Sequence, residues 1–246
     1  MSETTAPPNA LPDKGLAARF FGILFAPKET FQAVVAKPRW LTIALVVIVL
    51  TGGAQLWFGS TTVGRQATLD ETVRKTEAFG FTVSDQMYEG FRKGIMEPAP
   101  WRMGLSAGMM VVMPPIIWAV IAGVFYLVFA ATGGQSTFKQ VYAVVVHSTV
   151  VTVVGTLLIT PVNYFRESLS SATNLGVFVP FLPEGSFLAR LLGMVDLFWV
   201  WWLMVLAIGL AVCYRKKTRS VAVALFLVYG VIAVGFAAIM AMRSSS

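Results

Sequence analysis

Five long apolar runs divide the chain, separated by polar or turn-rich segments, and none shows the two-residue alternation of a strand. They cover about 40–58 (WLTIALVVIVLTGGAQLWF), 105–131, 141–159, 195–214 and 221–242, the third stopping at Pro161. A hydrocarbon core of about 30 Å needs about 20 apolar residues in a helix. No run carries Lys or Arg in its middle. The pattern predicts an all-α, polytopic membrane protein with five transmembrane helices, and argues against a β-barrel.

Shorter elements fill the gaps. Residues 15–26 (GLAARFFGILFA) are too short to span and end at Pro27. They predict an interfacial helix at the cytoplasmic headgroups, or equally one packed under the bundle. A second helix over 27–36 places Phe31, Val34 and Val35 on one face. The long loop, 59–104, predicts two helices. One opens at a Thr68–Glu71 capping box; the other opens at Ser84 or Asp85 and carries Met87, Tyr88, Phe91 and Ile95 at helical spacing. Docking onto the spans is the expected use of these faces. Residues 174–183 are placed where they can dip into the interface. Residues 1–14, with Pro7, Pro8 and Pro12, read as a disordered cytoplasmic tail rather than a cleaved signal peptide, and 15–246 as one membrane domain.

Composition agrees with lipid as the solvent. Of 246 residues, 57% are hydrophobic and 13% charged, against about 45–50% and about 25% in soluble domains. A soluble enzyme or nucleic-acid-binding domain is excluded on that balance. The net charge of +7 is spread along the flanks of the runs, as membrane topology requires. Lys14, Arg19, Lys28, Lys37 and Arg39 precede the first run, and Arg215, Lys216, Lys217 and Arg219 follow the fourth with no acid among them. Both regions are therefore expected in the cytoplasm, with the C-terminus outside. The 59–104 loop balances six basic residues against six acids and is expected to be extracytoplasmic. The lone Cys213 excludes a disulfide within the chain and a cysteine-clustered metal site.

Candidate chemistry is sparse. His147, the only histidine, falls inside the third run, where an ionisable group is a functional candidate by default. A neutral imidazole bonded to a nearby carbonyl or hydroxyl is the favoured reading, since it costs far less than a buried charge. Asp196 opens the fourth run as a helix cap, or as a partner for Arg102, Arg166 or Arg190. Asn163 and Arg166 are further polar candidates at the end of the third run. Pro114 and Pro115 are expected to kink the second helix. Gly104 and Gly108, like Ala233 and Ala237, form small-xxx-small pairs that suit close helix packing. Trp118 is the tryptophan expected inside the bundle. The motifs of serine hydrolases, zinc proteases and phosphate-binding loops are absent, and no two acids lie inside a run. No catalytic residue, metal ligand or cofactor is predicted.

The segments APKETFQAVVAKPRW, GGQSTFKQVYAVVVHS, MVDLFWVWWLMVLAIGLA and RKKTRSVAVAL occur in this order before the first run, into the third, across the fourth and into the fifth. With this spacing the chain resembles the Yip domain family over about 18–241, in its bacterial form. The resemblance implies a five-span helical membrane domain with a cytosolic N-terminus and no enzymatic activity. Eukaryotic members are linked to vesicle traffic and membrane shaping; their GTPase-binding role does not transfer to a bacterial setting. The expectation is a non-enzymatic inner-membrane scaffold or assembly partner, in contact with the lipid bilayer and with a membrane-protein partner or a second copy, and not with nucleic acid. A transporter or channel is the alternative, motivated by the Pro114–Pro115 pair, His147 and the polar loop before Asp196.

Overall fold

The computed structural model describes residues 15–183 and 186–244. The tail expected at 1–14 lies outside the described residues. The elements are α1 (Leu16–Phe25), α2 (Pro27–Ala36), α3 (Leu41–Ser60), α4 (Thr62–Ala78), α5 (Asp85–Met96), α6 (Pro100–Ala131), α7 (Phe138–Ser148) and α8 (Val150–Arg166). A 3-10 turn at Leu175–Phe178 follows, then α9 (Phe187–Met194), α10 (Leu197–Cys213) and α11 (Thr218–Ser244). The fold is all-helical among the described residues, with one isolated antiparallel bridge between Asn174 and Asp196.

Four helical stretches are long and apolar enough to cross a membrane: Leu41–Ser60, Pro100–Ala131, Phe138–Arg166 and Thr218–Met242. The fourth expected span is shorter than its run of sequence. Helix α10 has 17 residues, about 25 Å at about 1.5 Å per residue, because Asp196 caps its start and the helix ends at Cys213.

That short helix is nonetheless the centre of the bundle. It packs against α2, α7, α8 and α11 and buries Val205, Leu206, Ala207 and Leu210. Two glycines permit the approach. A Cβ at Gly209 would sit 2.6 Å from Val144 Cγ1 and 2.9 Å from Phe31 Cε1; one at Gly155 would sit 2.9 Å from the Phe198 ring. Where lipid replaces water, such close van der Waals packing carries helix association.

The chain's direction is legible from contacts at the two ends. At one end Ser136 Oγ donates to the Cys213 carbonyl at 2.7 Å, and Phe129 stacks on Tyr214 at 4.2 Å. Gln140 Nε2 donates to the Val35 carbonyl at 3.1 Å, and Trp40 meets Tyr142 edge-on. At the other end Trp57 meets Tyr164 and Phe198 meets Gly155. Helix α3 therefore runs with α7–α8, and α10 runs against them.

The α1–α2 pair lies against the bundle, with Ile23, Thr30, Phe31 and Val34 buried. Phe21 and Phe25 remain exposed on its outer side, so packing and an apolar outer face coexist. Trp118 is buried, as expected.

Three boundaries differ from the sequence reading. The third run is two helices, interrupted at Thr149. Ser148 Oγ and Thr149 Oγ1 donate at 2.7 Å to the Val145 and Val146 carbonyls, so local hydroxyls satisfy groups that lipid cannot. Helix α8 does not stop at Pro161 but continues to Arg166, where Glu167 closes it in the left-handed region at φ 51°. The first loop helix starts at Thr61, not Thr68: the Thr61 hydroxyl accepts from the Gly64 N–H at 2.9 Å, while Thr68 Oγ1 donates back to the Gly64 carbonyl at 2.7 Å inside the helix. Of the two expected starts, Ser84 is the one that caps α5. A capping box between Thr137 and Gln140, which the sequence reading missed, opens α7.

Overfilling the contact beneath α10 should loosen the bundle. We expect Gly209→Val to lose about 1–3 kcal/mol, read as a lower thermal midpoint in detergent. Gly53→Val, at a position where a Cβ meets nothing within 4 Å, serves as the unchanged control.

Candidate functional site

The polar residues of α8 define the most distinctive surface in the molecule. Thr152, Thr156, Thr160 and Asn163 stand at helical spacing on one face of an otherwise apolar helix. They line a crevice of about 1240 Å³ at the Tyr164–Trp57 end of the bundle. Its walls come from the last turn of α3, the α4–α5 pair, the first turns of α6, and residues around Asp196, Phe198 and Tyr229.

Two guanidiniums reach the same turn of α5 from different helices. Arg65 Nη1 donates to the Met96 carbonyl at 3.0 Å and Nε to the Gly59 carbonyl at 3.2 Å. Arg102 Nη1 lies 3.4 Å from where a Cβ on Gly94 would stand, and its guanidinium sits 5.3 Å from the Trp101 ring centroid. Among the described residues neither arginine forms an ion pair.

Asp196 closes the crevice from the α10 side. Its Oδ1 accepts from the Phe198 and Trp199 N–H groups at 2.9 and 3.4 Å, capping α10. Its Oδ2 accepts from Ser171 Oγ at 3.0 Å and from Thr173 Oγ1. Neutral donors thus surround the carboxylate, and no cation pairs with it among the described residues. The alternative partners Arg102, Arg166 and Arg190 do not take that role. Arg166 instead donates to the Ser170 carbonyl and hydroxyl at 3.2 and 3.3 Å.

Asn163 is only 9% exposed and its Oδ1 has no hydrogen-bond partner. Buried polar atoms are nearly always paired, so this one stands out. His147 lies elsewhere. It is fully buried in the core, with Nδ1 2.7 Å from the Ala143 carbonyl and Nε2 unpartnered. Between the crevice and His147, Phe198 seats on Gly155 and Trp202 Nε1 donates to Ser148 Oγ at 3.1 Å.

The remaining candidates stay apart from the crevice. Helix α6 is continuous through Pro114 and Pro115, and Tyr142 Oη approaches the Pro115 carbonyl at 3.5 Å. Gly104 and Gly108 lie on an exposed face, where an added Cβ meets nothing within 4 Å. Ala233 and Ala237 are buried within the chain's own packing. No group of three or more His, Cys, Asp or Glu suited to a metal ion occurs among the described residues.

Sequence reading had named Asn163 and Asp196 but missed the threonine stripe and Arg65. The stripe's four-residue spacing inside an apolar run was the available signal. The convergence of Arg65 and Arg102 on α5 was not, since it joins residues remote in sequence.

A helical bundle with long, lipid-compatible helices and one polar crevice defines an integral membrane protein. A model of the Yip1 domain family matches residues 21–240, and the chain belongs to that family. No curated protein and no solved structure matches the chain.

Asp196→Ala should remove the α10 cap and release the Ser171–Thr173 segment, lowering stability by about 1–2 kcal/mol. Asp196→Asn, which keeps an accepting oxygen, is expected to retain most of it. Thermal unfolding in detergent measures both.

Proposed function

We propose that this is a non-enzymatic, five-span protein of a bacterial inner membrane that acts as a scaffold or assembly partner. The five-span reading is supported by α10, which runs between the same two ends as the longer helices and alternates with them in direction. The cytoplasmic placement of the N-terminal side is supported by charge. Lys37, Arg39 and Lys139 flank the contacts that join α2, α7 and the α10–α11 turn, and that turn itself carries Arg215, Lys216 and Lys217, with Arg219 in the first turn of α11.

The observation that carries the scaffold role is the bareness of α6. Only 11% of its most apolar window is buried, against 61% for Phe138–Arg166. Its outward face presents Val112, Ile116, Val120 and Leu127 with Gly104 and Gly108 at one end. This is a surface built for lipid or for another helix. The transporter reading, raised by the Pro114–Pro115 pair, His147 and the polar loop before Asp196, now draws on the crevice as well, and the Phe198 and Trp202 contacts beneath it favour a one-ended site over a path.

Single cysteines placed along α6 in a Cys213→Ala background test the role by crosslinking in native membranes. A scaffold gives one discrete adduct that rises and falls with helical period along Val112 to Leu127. Adducts without periodicity, or none at any position, contradict it. Cysteines at Lys216 and Ser170 test the topology. We expect an impermeant maleimide to label Ser170→Cys in intact cells and Lys216→Cys only after lysis.

A further inference from the structure

Three features of the crevice go unused by the scaffold reading. Thr152, Thr156, Thr160 and Asn163 form a polar stripe down its α8 wall, the Asn163 Oδ1 itself being sealed from the opening. Arg65 and Arg102 bring two positive charges to the last turn of α5, and no carboxylate among the described residues neutralises either. The walls between these groups are apolar, formed by Leu56, Ile95, Met103, Ile159, Met194 and Trp199.

The one acid in the lining does not balance those charges. Asp196 spends both oxygens on the α10 cap and on Ser171 and Thr173. What remains is a pair of guanidiniums for a phosphate, a stripe of threonines for ester oxygens, and greasy walls for hydrocarbon. At about 1240 Å³ the space exceeds the ~300–1,000 Å³ of ordinary small-molecule sites, as a headgroup with attached chains requires. The crevice sits at the end of a membrane bundle, where phospholipid is the amphiphile at hand.

We propose that this crevice is a binding site for an anionic phospholipid of the phosphatidylglycerol type. The phosphate lies between Arg65 and Arg102. The threonines of α8 line the way down to Phe198. The site needs no protein partner, so its success or failure is separate from that of the scaffold role.

The test is native mass spectrometry of the full chain in detergent, offered phosphatidylglycerol, phosphatidylcholine and phosphatidylethanolamine with identical acyl chains, and glycerol 3-phosphate without chains. We expect phosphatidylglycerol to be retained about tenfold more tightly than either zwitterionic lipid, because choline and ethanolamine headgroups keep the phosphate but bring a further cation beside two unneutralised guanidiniums. Arg102→Gln, which removes no hydrogen bond that holds the fold, should abolish the preference. Arg74→Gln, in an exposed i,i+3 pair with Glu71 away from the crevice, should change nothing. A photoactivatable phosphatidylglycerol on the unmodified protein gives a second readout that needs no variant, with adducts expected on the α3, α6 and α8 segments of the crevice. Equal retention of the three lipids, an unchanged preference in Arg102→Gln, adducts confined to the outer faces of α6 and α11, or glycerol 3-phosphate binding as tightly as the intact lipid would each overturn the proposal.

Discussion

The structure depends on how closely α10 is approached by its neighbours. Gly209 lets Phe31 of α2 and Val144 of α7 meet the helix backbone, and Gly155 lets Phe198 seat against α8. In lipid there is no hydrophobic gain from bringing two apolar helices together, so contact distance and local hydrogen bonding must supply the cohesion. Helix α10, at 17 residues, can therefore be shorter than α3, α6 and α11 and still be largely enclosed. The longer helices α6 and α11 keep only 11% and 17% of their most apolar windows buried, and so form the outer face.

The same logic explains the interruptions. At Thr149 the helix breaks, and Ser148 and Thr149 turn their hydroxyls back to carbonyls three residues earlier. Ser148 Oγ also accepts from Trp202 Nε1, tying the break to α10. Phe198 and Trp202 then separate the polar crevice at one end from the buried His147. That layering favours a protein that holds something at one face over one that passes it through. In a Yip1 domain protein it joins a bare outer helix and a polar crevice in one small bundle.

Much of this was legible in the sequence, for identifiable reasons. Run length and the absence of charge gave the long helices, and Ser84 and Asp196 stood among the cap candidates. The break at Thr149 was hidden because a serine and a threonine in an apolar run are ordinary in a span; only their back-bonding marks it. The choice of Thr61 over Thr68 as a cap turned on Gly64, which folds tightly against the Phe58 carbonyl. The crevice was half visible. Asn163 could be picked out as a polar residue near a span end, but Arg65 meets the Met96 carbonyl 31 positions away, a contact no local pattern encodes.

The central claim is that α10 is enclosed by its own chain rather than by lipid. Carbene footprinting of the unmodified protein in bilayers, with a lipid-soluble diazirine and peptide mass spectrometry, tests it most directly. The account predicts strong modification along the exposed positions of α6 and α11 and little between Val205 and Ala211 of α10. Modification of that α10 segment at the level of α6 would contradict it.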